Sequence, residues 1–301
     1  MYAVCKPAAD NGGNSGFVQL MSGGKQMSKP LGAGTIDVVY NETYDEFGLS
    51  RHFHNSYEII LILEGKVRYT INNSRYIAGK NSVVLISNLE MHEIEILEYP
   101  YKRYYALINP DYFQSIISDP ILISIFKHRP DHFKHVIHLE DKESLYFGKL
   151  LKTMYDEVSS RQDMWQSVLG SYIHLFIVSL YRSHKSSFPM TIFNSSMNTV
   201  IEIQKYIEEH YMEDITLNTI SKLFYTDMYY ISHLFKKVTG YNFKEYLIRC
   251  RLSKAKELLF YTNANITQVG LDSGFTNVNH FIRIFKKYEF TTPHQYRMKY
   301  R

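Results

Sequence analysis

Four side chains in the first third of the chain have the types and spacing to meet at one point. His52-Phe53-His54 is followed by Glu58 and Gly65, a His-x-His-x3-Glu-x6-Gly pattern, and His92 lies beyond the turn residue Gly79. On a strand, His52 and His54 project to the same face. Together with Glu58 and His92 they form a donor set suited to a transition metal. The same groups could instead line a pocket as hydrogen-bonding partners of a small molecule, or be satisfied structurally inside a barrel. Spacing leaves all three readings open. The pocket is favoured, because barrel mouths are common ligand sites and a metal shell demands more geometry than spacing shows. His54, Glu58 and His92 are the effector-binding candidates, and His52 carries less weight. No metal or other cofactor is expected; were one bound, the four would be its ligands. Tyr57, Tyr69 and Tyr76 could line the pocket against an apolar effector or simply fill the core.

A second constellation repeats. The stretch from Asp227 to Lys237 recurs fifty positions on, from Asn277 to Lys287. Each copy opens with a residue whose oxygen can cap first-turn amides. Ile231, Leu234 and Phe235, then Phe281, Ile284 and Phe285, follow at matching helical spacing and make one buried face. If those residues pack inward, Tyr229, Ser232 and His233 face outward in the first copy, and Asn279, Ile282 and Arg283 in the second. Arg can pair bidentately with guanine and Asn with adenine, while Ile or Tyr can touch a thymine methyl. These six are the base-reading candidates. Lys236, Lys237, Lys286 and Lys287 close the last turns, where they suit the helix dipole and a phosphate alike. A helical bundle with duplicated helices and no ligand is the plainer alternative.

The elements needed to position these groups are legible in outline. Short β-rich runs are predicted at 36–40, 57–63, 66–71, 82–86, 92–96 and 103–108, broken by turn residues. Helices follow at about 142–160 and 162–184, and a polar, Ser-rich connector spans 185–197. Helices 217–224, 243–259 and 266–273 flank the repeated segments. The predicted organisation is a disordered Gly-rich leader (1–34), a β-rich domain whose two long helices cover the barrel or a second subunit (35–184), and an all-α domain with two helix-turn-helix units (198–301).

Composition narrows the function classes. Cys5 and Cys250 are too few and too distant for a disulfide framework or Cys-rich zinc module, and fit a reducing cytoplasm. No apolar run reaches the roughly 18 residues of a membrane helix, nor does the N-terminus read as a signal peptide. Gly-rich phosphate loops and nucleophile elbows are missing from the sequence. Residues 197–301 hold 15 Lys and Arg against 10 Asp and Glu, and those after Leu234 hold 13 against 4. That asymmetry places a basic surface on the helical end, as nucleic-acid binding requires.

On these residues the C-terminal region resembles the DNA-binding region of the AraC/XylS family of bacterial regulators. The matching set includes Phe235-Lys236-Lys237-Val238-Thr239-Gly240, Arg251-Leu252, Gly274-Phe275, Phe285-Lys286-Lys287, Thr292-Pro293 and Tyr296-Arg297. Two departures stand out. Ser221 replaces the family's usual alanine, and Phe290 stands where the first copy has Gly240. A left-handed turn would cost Phe about 1 kcal/mol, so the second turn is expected to be built differently, with Thr292 capping and Pro293 opening the last helix. Residues 36–108 resemble a cupin barrel, although Ser87-Asn88 stands where that family's second motif usually has proline.

The fold class implied is α+β: an N-terminal cupin-like β-barrel with flanking helices, then an all-α double helix-turn-helix domain. The resemblance implies a cytoplasmic, non-enzymatic regulator that binds double-stranded DNA in successive major grooves and responds to a small-molecule effector, a sugar being frequent in the family. It further implies that 35–184 is the effector-binding and dimerisation domain of a homodimer, with contact to RNA polymerase and activation rather than repression. A metal-dependent cupin enzyme with an appended helical domain is the alternative.

Overall fold

The computed structural model describes residues 36–45, 48–130, 133–188 and 195–301. The expected leader (1–34) and part of the connector (189–194) lie outside the described residues. Seven strands form one antiparallel sheet: β1 (Ile36–Thr43), β2 (Gly48–His52), β3 (Tyr57–Ile71), β4 (Ser74–Gly79), β5 (Ser82–Ile86), β6 (His92–Ile108) and β7 (Val136–His138). Its backbone order is β1-β6-β3-β5-β7, with β2 added to β6 and β4 to β3.

Two long strands replace two pairs of expected short ones. β3 runs through Glu64-Gly65 and β6 runs through Pro100, and their mutual register shifts between Ile62 and Val67. Gly65 adopts φ +85°, and a Cβ there would stand 2.5 Å from the Pro100 carbonyl oxygen. The glycine thus lets the chain bend without ending the strand. Beyond the bend the sheet folds over itself. Tyr57–Ile62 pairs with β5 and the end of β6, while Lys66–Ile71 pairs with β4 and the start of β6. Alternation then sorts the side chains. Ile60, Ile62, Val67, Tyr69, Ile94, Ile96 and Tyr101 pack inside the curl. Tyr57, Ile59 and Leu61 face outward, where helices cover them.

Those covering helices are α1 (Pro110–Ile116), α2 (Pro120–Lys127), α3 (Asp141–Ser160) and α4 (Trp165–Ser183). Phe147, Leu150, Leu151 and Met154 of α3 and Ile173, Phe176, Ile177 and Leu180 of α4 join the outer core. Among the described residues no helix is long and apolar enough to cross a membrane.

The remainder is helical: α5 (Ser195–His210), α6 (Leu217–Leu223), α7 (Met228–Thr239), α8 (Phe243–Tyr261), α9 (Ile266–Asp272), α10 (Val278–Glu289) and α11 (Pro293–Tyr300). The two repeated units are α6-α7 and α9-α10. Their four helices are capped alike: Thr216, Asp227, Asn265 and Asn277 each accept backbone N–H bonds in the first turn. The Ser221 hydroxyl donates to the Thr226 carbonyl at 2.7 Å, so this departure from alanine ties down the first turn.

Phe290 corrects an expectation. Thr292 does cap α11 and Pro293 does open it, but the turn before them keeps the left-handed form. Phe290 has φ 57°, ψ 13° beside 77°, −8° for Gly240, and its side chain is 70% exposed. Geometry inherited from the repeat therefore prevails over side-chain preference. Phe290→Gly should stabilise the protein by roughly 0.5–1 kcal/mol, read as a raised urea midpoint with unchanged slope.

Candidate functional site

His52 ends β2, Glu58 lies near the start of β3 and His92 begins β6, where His52 and His92 pair directly. The structure gathers His52, His54 and His92 into one group and sets Glu58 against His54 and His92. Ring centroids of His52 and His92 are 4.2 Å apart, and those of His54 and His92 are 5.1 Å apart. Ligating nitrogens of the three histidines all lie within 4.8 Å of one another. Glu58 Oε2 sits 3.3 Å from His54 Nε2 and 3.6 Å from His92 Nε2.

The protonation pattern follows from burial and bonding. Burial, followed by the charge of His54, pushes the His92 pKa down to about 4. His92 Nδ1 lies 2.9 Å from the Glu90 carbonyl oxygen; since a carbonyl only accepts, Nδ1 carries the proton. Nε2 then presents a lone pair. Burial pushes Glu58 up, but the His54 ring together with His92 and Arg103 outweighs it and holds the carboxyl below its usual range. An ionised carboxylate and a lone pair thus face each other, an arrangement that calls for a donor between them. Both ring nitrogens of His54 are buried without a hydrogen-bond partner, so its 3.3 Å approach to Glu58 is not an aligned bond.

Two kinds of occupant suit this. Ligands 2.0–2.2 Å from a tetrahedral metal lie roughly 3.3–3.6 Å apart, which matches the spacings from Glu58 to His54 and His92. A divalent transition ion therefore fits, with His52, His54 and His92 as the ligating group and the Glu58 carboxyl beside His54 and His92. A hydroxyl or amino group of an organic ligand fits equally.

In the helical region, Tyr229 (78% exposed), His233, Asn279 and Arg283 are exposed along α7 and α10, with Lys236, Lys237, Lys286 and Lys287 in their last turns. Ser232 is half-buried. Ile282 is only partly exposed and packs against the helical core, so it is the weakest of the six base-reading candidates. Sequence reasoning passed over Tyr230 and His280, both exposed in the first turns. Their common fifty-residue offset was the available signal. α8 joins the two units and is roughly 28 Å long at 1.5 Å per residue, close to the groove repeat of about 34 Å.

The barrel and the helical region share a dense polar contact that the sequence did not reveal. Phe53, between His52 and His54, packs in the helical core with Leu89 and Met91. Lys256 Nζ lies 3.7 Å over the Phe53 ring, donates to the Phe53 carbonyl, and pairs with Glu289 at 2.8 Å. Arg249 Nη1 donates to the Leu89 carbonyl at 3.0 Å, and the Tyr241 hydroxyl donates to Asn72 at 2.6 Å. The Arg129 N–H donates to the Val238 carbonyl at the end of α7, 2.7 Å away. Lys127, wholly buried, bonds both oxygens of Glu208 at 2.6 and 2.7 Å, and Tyr246 and Asn88 donate to the same carboxylate.

The chain matches two family models: the AraC-like ligand binding domain over residues 37–144 and the helix-turn-helix domain over residues 220–299. The HTH-type transcriptional regulator YdiP of Escherichia coli K12 is 24% identical over 258 residues, covering 83% of this chain and 81% of its own. The HTH-type transcriptional activator RhaS of Escherichia fergusonii is 23% identical over 260 residues, covering 85% and 90%. Among solved structures, unsaturated fatty acid bound ToxT of Vibrio cholerae superposes with a TM-score of 0.59 at 16% identity, covering 90% of this chain and 97% of that one.

Proposed function

We propose a specific wiring for this protein from the premise that the chain belongs to the AraC family and is a ligand-sensing, DNA-binding transcription regulator. In it, α7 and α10 enter successive major grooves of a duplex. Tyr229, His233, Asn279 and Arg283 read base edges, with Ser232 and Ile282 at the margin, and the four paired lysines hold phosphates. The carrying observation is the twofold recurrence of one capped, cation-ended helix with an exposed polar face. The effector occupies the barrel, against His54, Glu58 and His92, with His52 completing the wall.

Coupling runs through the two segments that hold the histidines. Phe53 and Leu89 to Met91 lie within two or three residues of the cluster and are themselves the seat of the helical region. A ligand that moves the His52-Phe53-His54 segment changes the docking of α8, and hence the presentation of both reading helices. Leu145 and Leu175, both exposed on α3 and α4, support pairing of two copies through these helices. RhaS is named as an activator, and this protein's action is proposed as activation through RNA polymerase, in the cytoplasm.

Binding to a labelled duplex across a salt series tests the DNA face. Log affinity should fall with log salt by about 0.9 per phosphate contacted, and Lys236→Ala should reduce that slope by about 1. A slope that no lysine substitution alters would remove these residues from the interface. The convergence of three histidines with Glu58 also supports a second reading, a metal-dependent enzyme. Stoichiometric metal in the purified protein together with substrate turnover would favour it, whereas salt-dependent DNA binding after chelation favours the regulator.

A further inference from the structure

Arg103 projects from β6 between Tyr101 and Tyr105 of the same inner-facing row, and is 6% exposed. Its guanidinium carbon lies 4.6 Å from the Tyr101 ring centre and 5.5 Å from that of Tyr105. Its Nη1 is buried and has no hydrogen-bond partner. Aromatic faces attract a cation but accept none of its N–H donors in the manner of an oxygen. A buried charged donor left without an acceptor is strongly unfavourable. Nothing in the sheet demands arginine here, because the position pairs with Asn41 and Ile62 through backbone alone. Neighbouring groups do not answer the need either. The Tyr101 hydroxyl is engaged with that of Tyr69 at 2.9 Å, and the Glu58 carboxylate faces His54 and His92.

We propose that Arg103 receives the carboxylate of a small organic acid inside the barrel, beside the Tyr101 and Tyr105 rings, with a hydroxyl or amino group of that acid turned toward Glu58. This rests on the barrel being the sensing pocket and adds the chemical class of its ligand. A planar guanidinium matches a carboxylate in charge and geometry, and the tyrosine rings fix its plane. Glu58, 3.3 Å from His54 and 3.6 Å from His92, offers acceptor oxygens to a donor on the ligand and none of the extra donors that the oxygens of a phosphate would need. The ligand class is thus a monoanion at one end and a hydrogen-bond donor at the other.

Thermal shift of the full chain tests this with matched pairs: lactate against 1,2-propanediol, gluconate against glucitol, and inorganic phosphate alongside. At least one acid should raise the melting temperature at millimolar concentration, with its neutral partner and phosphate inert. Arg103→Met should lose that response by about tenfold or more in affinity while remaining folded without ligand, since no hydrogen bond of Nη1 is lost. Arg103→Lys keeps the charge but loses the fork, and should weaken the acid while preserving the fold. A purely structural arginine would show the opposite: a lowered melting temperature in both variants and no selective loss of acid binding. If neutral partners bind as well as the acids, or Arg103→Met keeps the acid response, the inference is overturned and the pocket stands. If none of the acids shifts the wild type, the inference is overturned, and a shift by a neutral compound alone would keep the pocket.

Discussion

Glu208→Ala should cost about 3–5 kcal/mol, the usual consequence of leaving a buried charge without its counter-ion. Lys127 is wholly buried. Burial pulls its ammonium toward neutrality, but Glu208 outweighs that and holds its pKa above the usual lysine value. Removing Glu208 also strands the Tyr246 hydroxyl and takes from the Asn88 amide one of its two acceptors. All three lie where the barrel, α5 and α8 meet, so the loss falls on the docking of the helical region. Thermal melting should show it directly. The double variant Lys127→Met/Glu208→Leu should recover most of the loss, because apolar replacement of a buried pair is commonly neutral or stabilising. The released helical region should still bind DNA but no longer respond to a barrel ligand. A loss below about 1 kcal/mol, typical of an exposed pair, would contradict this view of the contact.

Arg283→Ala should weaken binding to a preferred duplex by about 1–3 kcal/mol and relax preference at one base pair. Lys286→Ala, one helical turn on, should weaken all sequences alike. The difference arises because bases carry sequence information and phosphates do not. Measured side by side on preferred and scrambled duplexes, the two variants separate the roles. Equal losses on both duplexes for both variants would show that α10 touches only backbone.

The helical end was the more legible part of the chain. Asp227 and Asn277 cap their helices as their types suggest, and Ile231, Phe235, Phe281 and Phe285 are buried as their spacing requires. Local rules suffice there, since caps and 3.6-residue spacing act within one helix. The barrel was legible in its strands but less so in its bends. Gly65 read as a break because sequence shows a glycine, not the bulge that a partner strand stabilises around it. β2, β4 and β7 are short and half polar, and only pairing makes them strands. At the site, the four expected residues converge, yet Arg103 was passed over among ordinary strand residues.

The contact between barrel and helices was the least legible. Arg249 and Lys256 belong to the basic excess after Leu234, which reads as a surface for phosphate. Both are instead turned inward, over Phe53 and onto carbonyls of the barrel. A charged residue that pairs across two hundred positions carries no local signature. The positive charge available to DNA is correspondingly less than the composition implies; it includes the paired lysines of α7 and α10 together with Lys244, Arg283, Lys299 and Arg301, which are also exposed.

Selection of preferred duplexes from a random library by the full chain tests the central claim most directly. Two helix-turn-helix units on one linker helix predict two short conserved blocks whose centres lie about 10–10.5 base pairs apart, with Arg283→Ala erasing preference only in the block read by α10. Recovery of sequences sharing no motif, or of a motif indifferent to substitution in either α7 or α10, would contradict it.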